Sequence, residues 1–446
     1  MKEQATVRPA SATIADLLDV HECFPDHYPH LLSSAANAGG RYDILFAYPE
    51  GLLILEADAT VDDCAHFFRV LDATVATPGR SPKTQPALPF HYGHFLYLSY
   101  ELIAGIEPRL CLPRADAIPL AWVQGFGGAV LRDHKTQTTY ITARAGPIAD
   151  AIEEDLRQTL HKARAEARDA LVMEWVREDE PCEYLEGVRA IQDYIVAGDI
   201  FQANLSRGYQ ARVGAGTKAS SIMRALKTHN PAPFSALAQI GSTAILSASP
   251  ERLMRVQGDQ IRTYPIAGTI ARAADPDGDQ AAKRVLRDHP KEQAEHIMLV
   301  DLERNDLGRL CRPGTVRVEK LMTVESYATV HHLVSEIQGT LRPHTALSAI
   351  IASLFPGGSI TGCPKLRSIE ILAELEQGPR GAYTGSLGYV SEAGNVDLNI
   401  LIRTILMTDQ QLTWRVGAGI VADSEPAREL AETRAKAAGL LRSLGL

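Results

Sequence analysis

Residues 291–309, KEQAEHIMLVDLERNDLGR, place carboxylates where a globular protein normally avoids them. The run follows Pro290, has no Gly before Gly308, and reads as a helix. On that helix Glu292 and Glu295 are three residues apart and share a face. The apolar run Ile297-Met298-Leu299-Val300 follows at once and pulls the segment into the core. Like charges at this spacing repel, so a partly buried pair calls for a cation or a raised pKa. The same device recurs at 426–444, PARELAETRAKAAGLLRSL, with Glu429 and Glu432. The plain alternative is two solvated helix faces. If the pairs converge, they make an oxygen-rich site for Mg²⁺, which prefers carboxylates and keeps several waters.

The rest of the chain bounds what such a site serves. Its 446 residues suffice for a large core and suggest two or three domains. Hydrophobic content of 45% and charged content of 22% fit an ordinary globular protein. A net charge of −9 argues against a general nucleic-acid or anionic-membrane surface, so an anionic substrate needs a local cation. The six cysteines have no CxxC or regular spacing, which speaks against a zinc site or a disulfide framework. No apolar run reaches signal-peptide or membrane-span length, and a cytoplasmic location is expected.

Two regions separate on pattern, 10–145 and 182–446. The first has short apolar runs (42–48, 52–55, 94–100, 120–123) broken by Pro and Gly, a strand-and-turn texture. Residues 148–178 are charged and helix-favouring and read as a helix leading into a linker. The second region opens with a helix over 184–196 that stops at Gly198. Strands are expected at 201–213, 234–240, 243–248, 252–256 and 260–264, and helices around 280–306, 346–354 and 364–376. Clustered strands and clustered helices give the class α+β with antiparallel sheet.

Four further segments belong with the carboxylates. PIAGT (265–269) reads as a tight glycine turn after a strand. FPGGSITGCPK (355–365) is a glycine- and hydroxyl-rich loop entering a helix, where free N–H groups favour an anion. LNILIRT (398–404) is an apolar strand with one cation, Arg403, suited to bidentate capture of a carboxylate. VGAGIVADSEP (416–426) is a buried-type strand where a ligand can approach backbone at Gly417 and Gly419.

From residue 182 to the C-terminus the chain resembles the chorismate-utilising enzymes, which include the anthranilate, aminodeoxychorismate, isochorismate and salicylate synthases. The resemblance rests on SASPERL, PIAGT, AEHIMLVDLERNDLGR, VHHLVS, FPGGSITGCPK, RGAYTGSLGY, IRT and GAGIVADSEP, with a more diffuse similarity over 11–140. It implies a large layered fold with central antiparallel sheets and outer helices. It also implies Glu295 and Glu432 as direct Mg²⁺ ligands, with Glu292 and Glu429 holding metal-bound water. Arg403 matches the clamp for the enolpyruvyl carboxylate, supported by Tyr389, Lys436 and backbone near Gly419. Gly268, Ser359, Thr361 and Gly417 complete the substrate-binding motifs. Glu251 matches the acid that protonates the departing C4 hydroxyl, and His332 the second proton-transfer position, with Ala267 and Thr269 beside them.

Members that install nitrogen divide at the central residue of PIAGT. The best-known aminodeoxychorismate synthases carry a nucleophilic lysine there; this chain has Ala267, as anthranilate synthases do. FPGGSITG, VHHLVS and FQANLSRGY with Asn204 point to the aminodeoxychorismate side, and LLSS (31–34) lacks the glutamate of the anthranilate feedback motif. The expectation is amination of chorismate at C4 through a noncovalent C2-amino intermediate. Formation of anthranilate and pyruvate is the alternative. No GxCxG nucleophile elbow is present and Cys363 reads as a packing residue, so a separate glutamine amidotransferase subunit is expected to supply ammonia.

Overall fold

Alternation along the strands sets the architecture. The computed structural model describes residues 5–12, 14–34, 40–78, 88–115, 117–162, 171–273, 275–327 and 330–446. Within them Ile44, Phe46, Phe95, Tyr97, Trp122, Leu131, Ala236, Ala238 and Ile245 point into one strand-lined core. Their neighbours Leu45, Val130, Leu237 and Leu246 point the opposite way, against the helices Leu17–Cys23, Gly146–Lys162, Ala219–His229 and Pro426–Ser443. Leu96, Leu98, Val123 and Val390 face a second helical group, Val61–Thr74, Pro290–Leu310 and Leu347–Leu354. Period-two burial on both faces thus yields helix, sheet, sheet, helix. The strands join one large antiparallel network, and the fold is α+β, as expected.

The two sequence regions share that network. His30–Ser33 pairs with Phe234–Ile240, and Gly93–Leu98 with Ser386–Ser391. Both sheet halves therefore contain strands from before residue 145 and after residue 182, and the cores mix them.

The ladder between Gln202–Val213 and Gln411–Ile420 carries the site. On one face Ala203, Leu205, Ala418 and Ile420 pack against Tyr184, Val188, Ile191 and Leu430. The opposite face presents Gln202, Asn204, Gly417 and Gly419. Glycine at the last two positions leaves that face open.

Several local expectations are corrected. Only Gly146–Lys162 of the expected 148–178 helix is helical; 163–170 lie outside the described residues, and Met173–Glu178 is a strand paired with Gln202–Val213. Trp175 and Val176 suit a strand, and the charges suit its position beside solvent. The 280–306 helix is two, Pro276–Asp288 and Pro290–Leu310, because the residue before Pro290 is held extended. The runs 42–48 and 52–55 are one strand, Tyr42–Leu55, interrupted by a bulge between Glu50 and Leu52. PIAGT is not a turn but part of strand Ile266–Ala271, with a bulge between Ala267 and Thr269 where Gly268 adopts φ +77°. Arg403 lies at a break between Val396–Asn399 and Thr404–Thr408, not within a strand, and its φ is +51°.

Trp122 is fully buried between the sheets. Trp122→Ala is expected to cost about 3–5 kcal/mol, read from the denaturation midpoint. Because the cores are shared, the tertiary signal of Trp414 should be lost in the same transition as that of the N-terminal half.

Candidate active site

Buried polar groups converge on the open face of the Gln202–Val213 and Gln411–Ile420 ladder. Glu251 follows the strand Thr243–Ser249 and is 5% exposed. Its Oε1 accepts a 2.6 Å hydrogen bond from Ser359 Oγ, in the loop entering the Lys365–Leu375 helix. Burial pushes the carboxyl up to about 7, and the Ser359 bond, Lys436 and Arg403 only partly offset this. It is therefore a carboxylic acid able to hold a proton near neutrality.

Arg403 acts electrostatically on this acid and is left unengaged by the protein. No hydrogen bond or ion pair holds its guanidinium among the described residues, and burial pushes its pKa down. A half-buried, unpaired guanidinium is a prepared anion site. His332, 2% exposed, stands opposite the bulge: Thr269 Oγ1 lies 2.9 Å from its Nδ1. Burial, with Arg403 adding to it, pulls this imidazole down to about 3, so it is neutral. Its Nε2 is buried without a partner. Ala267, 5% exposed, precedes the bulge and offers no nucleophile.

The four glutamates meet around two lysines. Glu295 accepts from Gln202 Nε2 at 2.8 Å, and burial, reinforced by Glu292, raises its pKa. Glu292 packs its Oε2 against Gly268, 2.8 Å from where a Cβ would stand, and the φ of +77° favours glycine there. On the C-terminal helix burial likewise raises Glu429, with the Glu432 carboxylate adding to it. Lys291 and Lys436 act electrostatically on both Glu295 and Glu429. Lys436 Nζ also lies 2.8 Å from Glu432 and donates to Gly417 O at 2.9 Å.

An all-carboxylate donor set, with Glu295 and Glu429 raised by burial, suits a hard divalent cation such as Mg²⁺. Among the described residues, no three His, Cys, Asp or Glu side chains stand preassembled around one point. Binding would thus require Glu432 to exchange Lys436 for the metal.

Thr361 and Ser359 also join the group: Thr361 O accepts from Asn204 N at 2.9 Å, and Ser359 O from Asn204 Nδ2 at 3.2 Å. Tyr389 does not. It lines a separate cavity of about 1170 Å³ with Ser33, Ser34, Arg252 and Asp397, and none of Glu251, His332, Arg403 or Lys436 lines that cavity. SLGYV alternates as a strand, and this directs Tyr389 to the inter-sheet core.

Tyr383 is the tyrosine at the site, its hydroxyl 2.8 Å from the Cβ position of Gly417. The signal was present in RGAYTGSLGY, since Tyr383 precedes the strand in a turn where Gly381 and Thr384 have positive φ. Gln202 was also missed, although it lies two residues from Asn204 on one strand face. A further missed acid is Glu303, on the Pro290–Leu310 helix, pushed up to about 8 mainly by burial, with Oε2 unpartnered.

Comparison with known proteins identifies the family. A family model described as chorismate binding enzyme matches residues 28–442. The chain is 36% identical to aminodeoxychorismate synthase component 1 of Klebsiella aerogenes, covering 92% of each. It is 40% identical to an anthranilate synthase component I-like protein of Synechocystis over 80% of this chain and 73% of that one. Among solved structures, anthranilate synthase component I from Streptococcus pneumoniae superposes with a TM-score of 0.77 at 29% identity, covering 90% of this chain and 92% of that chain. No described helix is long and apolar enough to cross a membrane. The match spans both sequence regions and every segment of the cleft, and the chain belongs to the chorismate-binding enzyme family.

Proposed function

We propose that this protein is the chorismate-binding subunit of an aminodeoxychorismate synthase, replacing the C4 hydroxyl of chorismate with ammonia. The observation that carries the reading is Glu251, a carboxyl raised to about 7 by burial and fixed in place by the Ser359 hydroxyl, facing an unpaired Arg403. Arg403 binds the enolpyruvyl carboxylate and orients the ring. Glu251 gives its proton to the C4 oxygen, which leaves as water. With alanine at 267, ammonia bonds to C2 as the ring double bond shifts, and a second ammonia then bonds to C4 as the first departs. The net change is chorismate plus ammonia to 4-amino-4-deoxychorismate plus water, for a folate precursor. Neutral His332 takes a hydrogen bond at Nε2, and Thr269 fixes its ring. Glu295, Glu432, Glu292 and Glu429 would hold Mg²⁺, which supplies positive charge for the ring carboxylate in an otherwise acidic cleft.

End-to-end similarity to the Klebsiella component 1, together with Asn204 and the FPGGSITG loop, favours this over anthranilate formation. Ala267 and the Synechocystis relative favour the second reading, in which amination at C2 is followed by loss of pyruvate. Component 1 in the relatives' names supports a partner subunit, which we assign as a glutamine amidotransferase.

Product analysis tests the reading. Chorismate, Mg²⁺ and ammonium should give 4-amino-4-deoxychorismate with no pyruvate, and intact-protein mass spectra during turnover should show an unmodified chain. Anthranilate with pyruvate as the main product would establish the second reading instead.

Glu251 sets a pH limit. It is protonated below about 7 and ionised above, so kcat/KM for chorismate, at constant free ammonia, should fall as pH rises through that value. A profile flat to pH 9 would remove Glu251 from the acid role. Glu295→Gln and Glu432→Gln should each lower turnover about 10–100-fold or more while the fold is retained. Wild-type activity in both at low Mg²⁺ would contradict the metal assignment.

A further inference from the structure

Asn204 carries a polar atom that neither the fold nor the mechanism above uses. Its Nδ2 donates to Ser359 O at 3.2 Å, which fixes the amide: with the group flipped, two carbonyl oxygens would face each other. Oδ1 is consequently defined, and it is buried with no hydrogen-bond partner among the described residues. Its surroundings are those of the reaction. Oδ1 lies 2.5 Å from the Cβ position of Gly417, beside the Tyr383 hydroxyl at 2.8 Å from the same point. Ser359, which Asn204 braces, donates to Glu251.

A buried carbonyl left unpaired costs about 1–3 kcal/mol, so a strand that aims one at a ligand cleft anticipates a donor. Of the reactants, chorismate brings carboxylates and an ether, which have no proton to give, and one C4 hydroxyl that Glu251 must engage. Ammonia brings three N–H groups. A neutral amide oxygen suits NH₃, whereas a carboxylate would draw NH₄⁺, which has no lone pair to attack with.

We infer that Asn204 is the ammonia-receiving residue, its Oδ1 accepting one N–H beside Glu251 so that the nitrogen lone pair faces the ring. This rests on the aminating reading but not on which carbon is aminated. It also gives the alanine-bearing cleft a means of holding a nucleophile that no lysine supplies. Gly417 keeps the pocket free, because a methyl group there would collide with Oδ1 and with Leu205 O.

The test is steady-state kinetics of the full chain with ammonium chloride as nitrogen source, no glutaminase present, and free NH₃ calculated at each pH. In Asn204→Leu, KM for ammonia should rise about 3–10-fold, the loss of one hydrogen bond, while KM for chorismate stays within about twofold. KM does not depend on the folded fraction, so partial misfolding cannot imitate this split. Asn204→Asp should become more inhibited by ammonium as pH falls. An unchanged ammonia KM in Asn204→Leu, or an equal rise in the chorismate KM, would overturn the inference. The product identified in the same assays judges the aminating reading separately.

Discussion

Buried polar groups without protein partners are the constraint from which the site follows. His332 Nε2, Gln202 Oε1 and Asn204 Oδ1 are withdrawn from water and unpaired among the described residues, the half-buried Arg403 guanidinium is likewise unpaired, and Glu251 holds a single side-chain bond. Each such group opposes folding by an amount comparable to a lost hydrogen bond. The surrounding structure must therefore hold them in place by force of packing. It does so with two sheets whose inner core is continuous across both halves of the chain, and with helices locked to the outer faces.

Glycine makes the arrangement possible at three places. Gly417 and Gly419 open one face of the ladder that carries Gln202 and Asn204, and Gly268 lets Glu292 approach the bulge that seats Thr269 against His332. Opposite them, burial raises the acids Glu251, Glu295 and Glu429. A cleft with too little counter-charge for its carboxylates and a free guanidinium suits a cation and a dianion taken together.

The acidic helix, the Gly417–Gly419 strand and the carboxylate pairs were legible because helical and strand periods are local. Fold class was legible for the same reason, whereas the two-sheet layering came only through family resemblance. The Gly268 bulge and the break at Arg403 were not legible, since both depend on which strand pairs alongside. Tyr389 shows the limit most clearly: it and Tyr383 share one motif, and only tertiary pairing with Gly93–Leu98 turns Tyr389 to the inter-sheet core. The strand at Met173–Glu178 was hidden because its charges favour helix in isolation, and its partner is distant in sequence.

The central claim is that a metal and chorismate together complete a cleft that folding leaves unsatisfied. Thermal unfolding in ammonia-free buffer tests this most directly, with Mg²⁺ and chorismate added singly and together. Ligands at 100 times their dissociation constant stabilise by about 2.7 kcal/mol. The account predicts that the pair raises Tm by more than the sum of the separate shifts, and that Arg403→Gln abolishes the excess. Additive shifts, or the same excess in Arg403→Gln, would contradict it.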